Sequence, residues 1–464
     1  MADLRDHEVE LRRVLQRVGA HAAFAEVMAQ ASQGESANID SKSRRATTSP
    51  HIAGAIIRAW AGARWVEASS SSFDAKSLDA VADGLERDLR AARSSDPPPG
   101  ESSTTVGESV ARPARPMREM GLESEMERAR DYFRWSMDVP GIKNVQAWVA
   151  WWDDERFYLN TAGARCYYVS GRVRANIAAI AVENGRTEFD YDSSGAIGGQ
   201  EILEQMTEER ARTLAQETVA LLHARSPPTG AMSVLLDGGT TGTFAHESFG
   251  HGTEADQFVR DRSYLKPILG QVVGPESLTI ADDGSIPGAW GSIPFDDEGH
   301  RSGKTLMIDH GRFVGALHDR DSARALHAKA TGNTRRSDFQ SRAYVRMTNT
   351  YVEAGDWSFD ELVQEAGDGV LLEHWTSGME DPLGGQMQIK VRRGRRIEHG
   401  KLTDLVSSMA LSGTVLRFLK DIRGVGNDNK FRMDSGFCGK GHGDYLPVGD
   451  GGPYLLSRAV VGPA

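Results

Sequence analysis

Residues 244–258 read F-A-H-E-S-F-G-H-G-T-E-A-D-Q-F. Two histidines, His246 and His251, bracket the carboxylate of Glu247. Neutral imidazoles are good ligands for zinc, and a carboxylate beside them can accept a proton from a water molecule that the metal activates. The stretch therefore indicates the chemistry of a metallohydrolase.

The spacing of the two histidines, H-E-x-x-x-H, is one residue longer than the H-E-x-x-H motif of zinc proteases. In a regular α-helix a five-residue step turns the second side chain by about 140° away from the first, so both rings could not point at one ion. A π-bulge, or a helix that ends near Gly250, would absorb the extra residue, and Gly250 and Gly252 make either distortion cheap. The alternative is that His246 and His251 are ordinary histidines near a helix start, with Glu247 as a first-turn carboxylate.

The approach to the motif supports the functional interpretation. An apolar run at 231–237, A-M-S-V-L-L-D, continues into G-G-T-T-G-T. It predicts a buried strand, then a glycine loop, and then the helix that carries the motif. Binding and catalytic sites are commonly placed at the end of such a strand.

A glycine-rich stretch at 435–452 reads S-G-F-C-G-K-G-H-G-D-Y-L-P-V-G-D-G-G and contains Cys438. A thiolate is a strong zinc ligand, so Cys438 could complete a site of two histidines and one cysteine, with a fourth position left for water. The alternative is a buried free cysteine that packs as a small hydrophobe. Gly439 and His442 are candidate substrate contacts. His442 could also be an alternative ligand or a solvent-exposed loop residue.

Acidic residues outside the motif offer further possibilities. Glu254 and Asp256 could orient the zinc histidines without touching the metal, or they could form the polar face of a helix. The run Asp296-Asp297-Glu298 looks like a hard-cation site but is more often an acidic turn, so no second metal is expected.

Composition limits the class of protein. A length of 464 residues predicts two domains, and 50 glycines indicate many turns, as in a β-rich domain. The net charge of −11 argues against a general electrostatic footprint for nucleic acid. Two cysteines, Cys166 and Cys438, allow at most one disulfide. The charged N-terminus and the lack of long apolar stretches predict a soluble, cytoplasmic protein without a membrane segment.

The pattern of apolar residues predicts an α+β fold with two domains. An N-terminal α/β domain is predicted at 1–228 and a C-terminal β-rich domain, which carries the metal site, at 229–464. The boundary lies where S-P-P at 226–228 ends a strong helix. Residues at about 94–118 are rich in Ser and Pro and predict a mobile loop or linker. Helices are predicted at 4–18, 20–31, 75–93, 121–137 and 200–224, and strands at 50–68 and within 144–192.

The chain resembles the TldD/PmbA family, the "modulator of gyrase" metalloproteases, and specifically its metal-bearing TldD-type members. The resemblance covers most of 230–464, and the pattern of 1–225 agrees with it more weakly. It runs through motifs in the family's order: H-E-S-F-G-H-G-T-E-A-D at 246–256, F-D-D-E-G at 295–299, T-G-N-T-R-R at 331–336, R-M-T-N-T-Y at 346–351, G-G-Q at 384–386, V-G-N-D at 425–428, C-G-K at 438–440 and L-P-V-G at 446–449.

This resemblance implies a zinc-dependent peptidase with one Zn²⁺ per chain, held by His246, His251 and Cys438, and with Glu247 as the general base. It implies a dimer, and in particular a heterodimer with a metal-free TldE (PmbA)-like chain that encloses the active site; a homodimer stays open. Such enzymes cut unfolded peptides, including leader segments of ribosomally made peptide natural products. The alternatives are a pathway-specific hydrolase or amide-processing enzyme of natural-product biosynthesis, and a non-catalytic binding or regulatory subunit of the same fold.

The chain departs from the family pattern beside the motif residues. Ser248-Phe249 stand where the family commonly has A-V. Gly441-His442 follow C-G-K where an acidic residue and a glutamine are common. We expect these differences to affect the substrate rather than the metal chemistry.

Overall fold

The structure is a computed structural model that describes residues 3–92, 100–441 and 444–464. It is an α+β structure, as the sequence predicts. None of the described helices is both long and apolar enough to cross a membrane. The α-helices are α1 (Glu8–Gly19), α2 (Ala75–Ala91), α3 (Leu122–Met137), α4 (Glu208–Leu221), α5 (Gly238–Thr243), α6 (Ala255–Val259), α7 (Arg320–Ala325), α8 (Phe359–Ala366) and α9 (Val415–Lys420). A π-helical segment spans Phe244–Gly250, and 3₁₀ turns span Leu4–His7, Met117–Glu119, Gln200–Gln205, His251–Thr253, Lys266–Ile268 and Asp428–Lys430.

The first half of the chain builds one sheet from the strands β1 (Ala25–Ile39), β2 (Arg44–Trp60), β3 (Trp65–Ser70), β4 (Val106–Val110), β5 (Ile142–Asn160), β6 (Arg165–Glu183) and β7 (Arg186–Ile197). Their order is β3-β2-β1-β5-β6-β4, with β7 also paired to β6. All pairs are antiparallel except the parallel pair of β4 and β6.

The two faces of this sheet pack against different parts of the chain. Val27 and Ala29 belong to a core cluster with residues of α1 and α2, and α3 and α4 cover the neighbouring strands. Met28, between them, clusters instead with Ile293 and Phe295 from the second half of the chain. This follows from the alternation of side chains along a strand. Around the first residues of β1 the sheet is therefore buried on both faces.

Burial on both faces explains an error in the sequence prediction. The helix predicted at 20–31 is wrong, because β1 begins at Ala25. Val27, Met28 and Ala29 are all buried, so the apolar residues do not alternate as in a half-exposed strand. Such consecutive apolar residues fit a helix and a buried strand equally well.

The loop predicted at about 94–118 also needs correction. Residues Val106–Val110 form β4, which pairs with β6 at the edge of the sheet. The hydroxyl of Ser103 donates a 2.6 Å hydrogen bond to the carbonyl of Gly299. Residues 94–99 lie outside the described part of the chain. β4 is mostly exposed and held by backbone pairing, so its composition carries no strand signal.

The strands of the second half are β8 (Gly230–Leu236), β9 (Ile280–Asp283), β10 (Lys304–Asp309), β11 (Arg312–Phe313), β12 (Thr334–Arg335), β13 (Tyr344–Val345), β14 (Asn349–Val352), β15 (Gly369–Glu380), β16 (Gln386–Glu398), β17 (Lys401–Val406), β18 (Met409–Thr414), β19 (Gly424–Val425), β20 (Arg432–Lys440), β21 (Asp444–Gly452) and β22 (Leu455–Pro463). Most of them form two larger sheets, one in the order β11-β10-β9-β14-β21-β20 and the other in the order β15-β8-β22-β18-β16-β17. An additional pairing of β15 with β16 closes five strands of the second sheet into a ring.

A buried ion network joins the first sheet to the second half. Glu298 lies 3.2 Å from Arg58 and 3.4 Å from Arg320, and Arg320 also binds Glu26 at 2.8 Å. Burial disfavours the Glu298 carboxylate, but Arg320 and Arg58 outweigh it and hold its pKa at about 2. The acids and bases of this network therefore compensate each other away from water.

The two neighbouring acids have different partners. Asp297 binds Arg156 of β5 at 2.6 Å, and Asp296 accepts backbone N–H groups from Glu298 and His300. The acidic turn predicted at Asp296-Asp297-Glu298 is thus an inter-sheet connection.

Replacing Arg320 with methionine tests the weight of this network. Arg320 is fully buried, so Arg320→Met leaves Glu26 and Glu298 without a main partner and should lower the free energy of unfolding by about 3–5 kcal/mol. Urea unfolding measures the change. Arg212→Met is the control: it removes a half-exposed pair with Glu208 and should cost less than about 1 kcal/mol. Equal effects of the two variants would contradict the assignment.

Candidate metal centre

A strand, a turn and a short helix deliver the histidine motif. β8 leads to Asp237, whose Oδ1 accepts a 2.8 Å hydrogen bond from the N–H of Thr240 and caps α5. The glycine loop predicted at 238–243 is this helix itself. At Gly242 an added Cβ would lie 2.3 Å from the backbone nitrogen of Gly451, so glycine lets α5 approach β21 closely.

The motif lies in a π-helical segment, Phe244–Gly250, which continues directly from α5. The N–H of His251 donates to the C=O of His246, five residues earlier. The two ring centroids lie 5.0 Å apart. Of the two distortions predicted from the spacing, the structure has the π turn, and a 3₁₀ turn follows it. At Gly250 an added Cβ would lie 2.2 Å from Sδ of Met347, so a side chain there would clash.

Cys438 reaches the two histidines from β20, an edge strand of the second-half sheet. Its Sγ lies 3.4 Å from Nε2 of His251, and the ligand atoms of His246, His251 and Cys438 all lie within 4.8 Å of one another. Nitrogen and sulfur ligands of a tetrahedral zinc are about 3.5 Å apart, given the usual bond lengths. The structure therefore brings the three predicted ligand residues together at a spacing that suits one zinc ion.

The chemistry of these donors also fits zinc. Burial raises the pKa of the Cys438 thiol, but the charges of His251 and His246 outweigh burial and lower that pKa to about 4. The thiolate is the form that binds a metal. Nδ1 of His246 is buried and has no hydrogen-bond partner among the described residues. A buried polar atom without a partner is unusual and fits a site that an ion completes.

Glu254 and Lys440 lie behind the candidate ligands. Glu254 Oε2 lies 3.3 Å from Nδ1 of His251, the nitrogen opposite Nε2. Lys440 Nζ lies 2.9 Å from both Glu254 and Asp256. Burial raises the pKa of Glu254, but Lys440 and His251 outweigh it and bring the pKa to about 2. Lys440 and Cys438 are two residues apart and so share one face of β20.

The two predicted supporting carboxylates thus differ in their contacts. Glu254 contacts a histidine of the motif, whereas Asp256 contacts Lys440. Lys440 was not among the predicted site residues. A positive charge two positions from Cys438 in a strand is the signal that could have indicated it.

Glu247 lies on the open side of the centre. Its Oε2 is 3.8 Å from Nε2 of His251, and its side chain is one-third exposed, whereas His246 is buried. At Gly378 of β15 an added Cβ would lie 2.7 Å from Cγ of Glu247, so this strand passes directly against the carboxylate side chain. Glu247 is the motif carboxylate that an incoming molecule can reach.

The remaining predicted residues have different positions. Gly439 is exposed on β20, and a Cβ there would lie 3.0 Å from the ring of Tyr445. His442 lies outside the described residues. Ser248 and Phe249, which depart from the family pattern, are fully buried, and Phe249 packs against Phe313. Their side chains therefore support the site from beneath.

Two carboxyl groups near the centre were missed from the sequence. Burial raises the pKa of Glu380 to about 8, and burial together with Asp434 raises the pKa of Asp450 to about 7. Both groups interact electrostatically with Glu247. They lie on strands far away in sequence and belong to no motif, so only the fold brings them here.

Comparison with known proteins identifies the family of the chain. A family model described as the PmbA/TldA metallopeptidase C-terminal domain matches residues 229–461, and one for the central domain matches residues 79–225. A metalloprotease of Methanothermobacter thermautotrophicus is 35% identical over 78% of this chain and 79% of its own length. The chain belongs to the TldD/PmbA metallopeptidase family.

Other members of the TldD/PmbA family extend the comparison. A zinc metalloprotease TldD homologue of Saccharolobus solfataricus is 29% identical over 53% of this chain and 55% of its own length. The crystal structure of TldE from Thermococcus kodakarensis superposes with a TM-score of 0.74 and 15% identity, covering 98% of this chain and all of that one. At that identity the likeness concerns the fold alone.

Substitution of Glu254 tests the support of the metal ligands. Glu254→Gln removes the charge that faces His251 and should weaken zinc binding about 10–100-fold, as for other groups that orient a metal ligand. Competition with a chromogenic chelator measures the affinity. Asp256→Asn is the matched control and should have a smaller effect, because Asp256 contacts Lys440 and not a histidine. A larger effect of Asp256→Asn would contradict this arrangement.

Proposed function

We propose that this chain is a zinc-dependent peptidase that hydrolyses amide bonds of unfolded or small peptides. The observation that carries the proposal is the convergence of His246, His251 and Cys438 beside the accessible carboxylate of Glu247. The names of its relatives, metalloprotease and zinc metalloprotease, support the same class of reaction. We place the centre in a C-terminal domain that begins near residue 229.

The proposed roles follow from the positions of the side chains. His246, His251 and the Cys438 thiolate would hold one Zn²⁺, which when bound acidifies a water molecule and polarises a substrate carbonyl. Glu247, on the open side, accepts the proton of the attacking water and delivers it to the leaving amine. Glu254 keeps His251 oriented through its Nδ1.

An extended peptide has a suitable edge beside Glu247. β8 pairs with β15 only over residues 369–372, so in the described pairings the later part of β15 is bonded on one side, to β16. Gly378 in that part contacts Glu247. Addition of a substrate strand there would use main-chain hydrogen bonds and demand little sequence specificity.

The edge of β20 is less suitable for a substrate strand. Trp290 Nε1 donates to the carbonyl of Gly436 at 2.8 Å, and Arg346 donates to the carbonyl of Cys438. Protein side chains therefore already occupy carbonyls along this edge. On β15 the corresponding contact, from the Tyr191 hydroxyl to the carbonyl of Trp375 at 2.5 Å, lies three residues before Gly378. We assign substrate binding to the part of β15 around Gly378, because that part contacts Glu247.

The partner is proposed by analogy. A solved structure with the same fold is TldE, and we propose that this chain forms a dimer, with a TldE/PmbA-like chain as the preferred partner. Co-purification of the two chains, with a mass measurement by light scattering, distinguishes this heterodimer from a homodimer.

Substitution of Glu247 separates metal binding from turnover. Glu247→Gln should keep about one zinc per chain and lower kcat/KM at least about 100-fold, because the variant lacks the proton acceptor. Zinc is measured by elemental analysis, and cleavage by mass spectrometry of an unfolded peptide mixture. Turnover by the variant at the wild-type rate would show that Glu247 is not the base.

The two cysteines provide a matched pair for the metal assignment. Both are free and buried, but Cys438 lies at the centre and Cys166 in the first sheet. Cys438→Ser, or a chelator, should remove the zinc and the peptide cleavage, whereas Cys166→Ser should keep both. Zinc retention by Cys438→Ser would contradict the ligand set. Zinc-loaded wild type that cuts no peptide would instead favour a non-catalytic subunit.

A further inference from the structure

A cavity of about 150 Å³ lies between the first sheet and the β20–β21 hairpin. We call it the arginine cavity, and its charged lining residues are Arg156, Arg172, Arg335, Arg336, Asp154 and Asp297. All six are at least nine-tenths buried. The cavity lies at the opposite face of β20 from the metal centre, because Phe437 lines it and Cys438 does not.

The two carboxylates that line the cavity form their ion pairs with a single arginine, Arg156. Asp154 and Asp297 both bind Arg156, at 3.0 and 2.6 Å, and Asp154 also accepts from Gln30. Arg336 pairs with Glu67 at 3.1 Å, towards the surface. Four guanidinium groups therefore share two lining carboxylates and one outer carboxylate.

Arg172 and Arg335 form no ion pair with any described residue. Arg172 donates to the carbonyls of Trp290 and Ser292 and to the hydroxyl of Ser170, and Arg335 donates to the carbonyls of two residues, Met347 and Pro447. These acceptors are neutral, and a guanidinium has five N–H donors, so donors remain for a further acceptor. Asp154 is near enough to Arg172 to attract it but makes its bonds elsewhere.

Uncompensated charge of this kind is costly inside a protein. Burial, with Arg172 and Arg346 nearby, lowers the pKa of Arg335 to about 9, so the group is still protonated at pH 7. A buried charge that is solvated only by neutral dipoles lacks the partner that usually accompanies it. A small anion in the cavity would supply that partner, and the fork of a guanidinium suits a carboxylate or phosphate oxygen pair.

We propose that the arginine cavity is a binding site for a small oxyanion, a carboxylate or a phosphate group, held chiefly by Arg172 and Arg335. Entry is from the side of Phe437 and Tyr445, which line the cavity and are 43% and 65% exposed. Arg172 belongs to the first sheet and Arg335 to the second half, so the anion bridges them. The proposal does not depend on the peptidase activity.

The bound anion also bears on the metal centre. Arg335 donates to Pro447 of β21, and Pro447 is the register partner of Phe437, next to Cys438. An anion on Arg335 therefore fixes the hairpin that carries the cysteine ligand. The anion does so without contacting Cys438 itself.

Direct binding to the wild-type chain tests the proposal. Equilibrium dialysis with inorganic phosphate at constant ionic strength should show saturable binding of about one anion per chain. A saturating concentration should raise Tm by about 3 °C, because a ligand of the folded state stabilises it. Arg335→Gln should lose the binding and the shift, and Arg172→Lys, which keeps a charge but loses the fork, should weaken binding about 10-fold or more. Arg417→Gln, at an exposed position, is the control and should bind like the wild type.

A competition arm identifies the source of the anion. An acetylated peptide with a free C-terminal carboxylate and its C-terminal amide are each added to the phosphate-loaded wild type. Displacement by the acid alone supports the proposal with a peptide carboxylate as the ligand, and phosphate binding that neither peptide displaces supports it with a free anion. Absence of saturable binding of both phosphate and the peptide acid to the wild type, or equal phosphate binding by a folded Arg335→Gln, would overturn it.

Discussion

The hydrogen bond from the N–H of His251 to the C=O of His246 is the constraint on which the centre depends. It spans five residues and turns two histidines at an otherwise unsuitable spacing towards each other. π-helical turns are rare, and here tertiary packing stabilises the turn. Every residue of Phe244–Gly250 except Glu247 is buried, and Phe244 and Phe249 pack against Phe418 and Phe313 of other elements. The distortion is therefore fixed by the core beneath it, and the one exposed side chain is the carboxylate.

The third proposed ligand, Cys438, reaches this turn through a separate element with its own restraints. Cys438 lies on an edge strand, which alone would be free to shift. Trp290 and Arg346 bind the outer carbonyls of that strand, and Lys440 ties it to Glu254, which in turn contacts His251. Side chains therefore restrain β20 both along its outer edge and towards His251. These restraints explain how Cys438 and His251, 187 positions apart in the sequence, stay close to each other.

The sequence was informative where chemistry is local and uninformative where contacts are long-range. The spacing of His246 and His251 requires a distortion, and flanking glycines indicate where it falls. The helix predicted at 20–31 failed because β1 is buried on both faces, which removes the alternation that marks a strand. The sequence did not predict β4, because an exposed edge strand is held by backbone hydrogen bonds and its side chains show no strand pattern. Lys440 belongs to the C-G-K motif at 438–440, but its position depends on the carboxylates of Glu254 and Asp256, which are far away in the sequence.

The contacts between the two halves of the chain show two ways of treating buried charge. Around Glu298, carboxylate and guanidinium groups pair directly, through Arg58 and Arg320. Around Arg335, guanidinium groups lie against neutral carbonyls. Burial disfavours the charged groups in both regions, and opposite charges of the protein offset that cost more fully in the first. A structural connection and an anion site therefore differ in how far opposite charges of the protein balance the buried charges, and not in the size of the cavity.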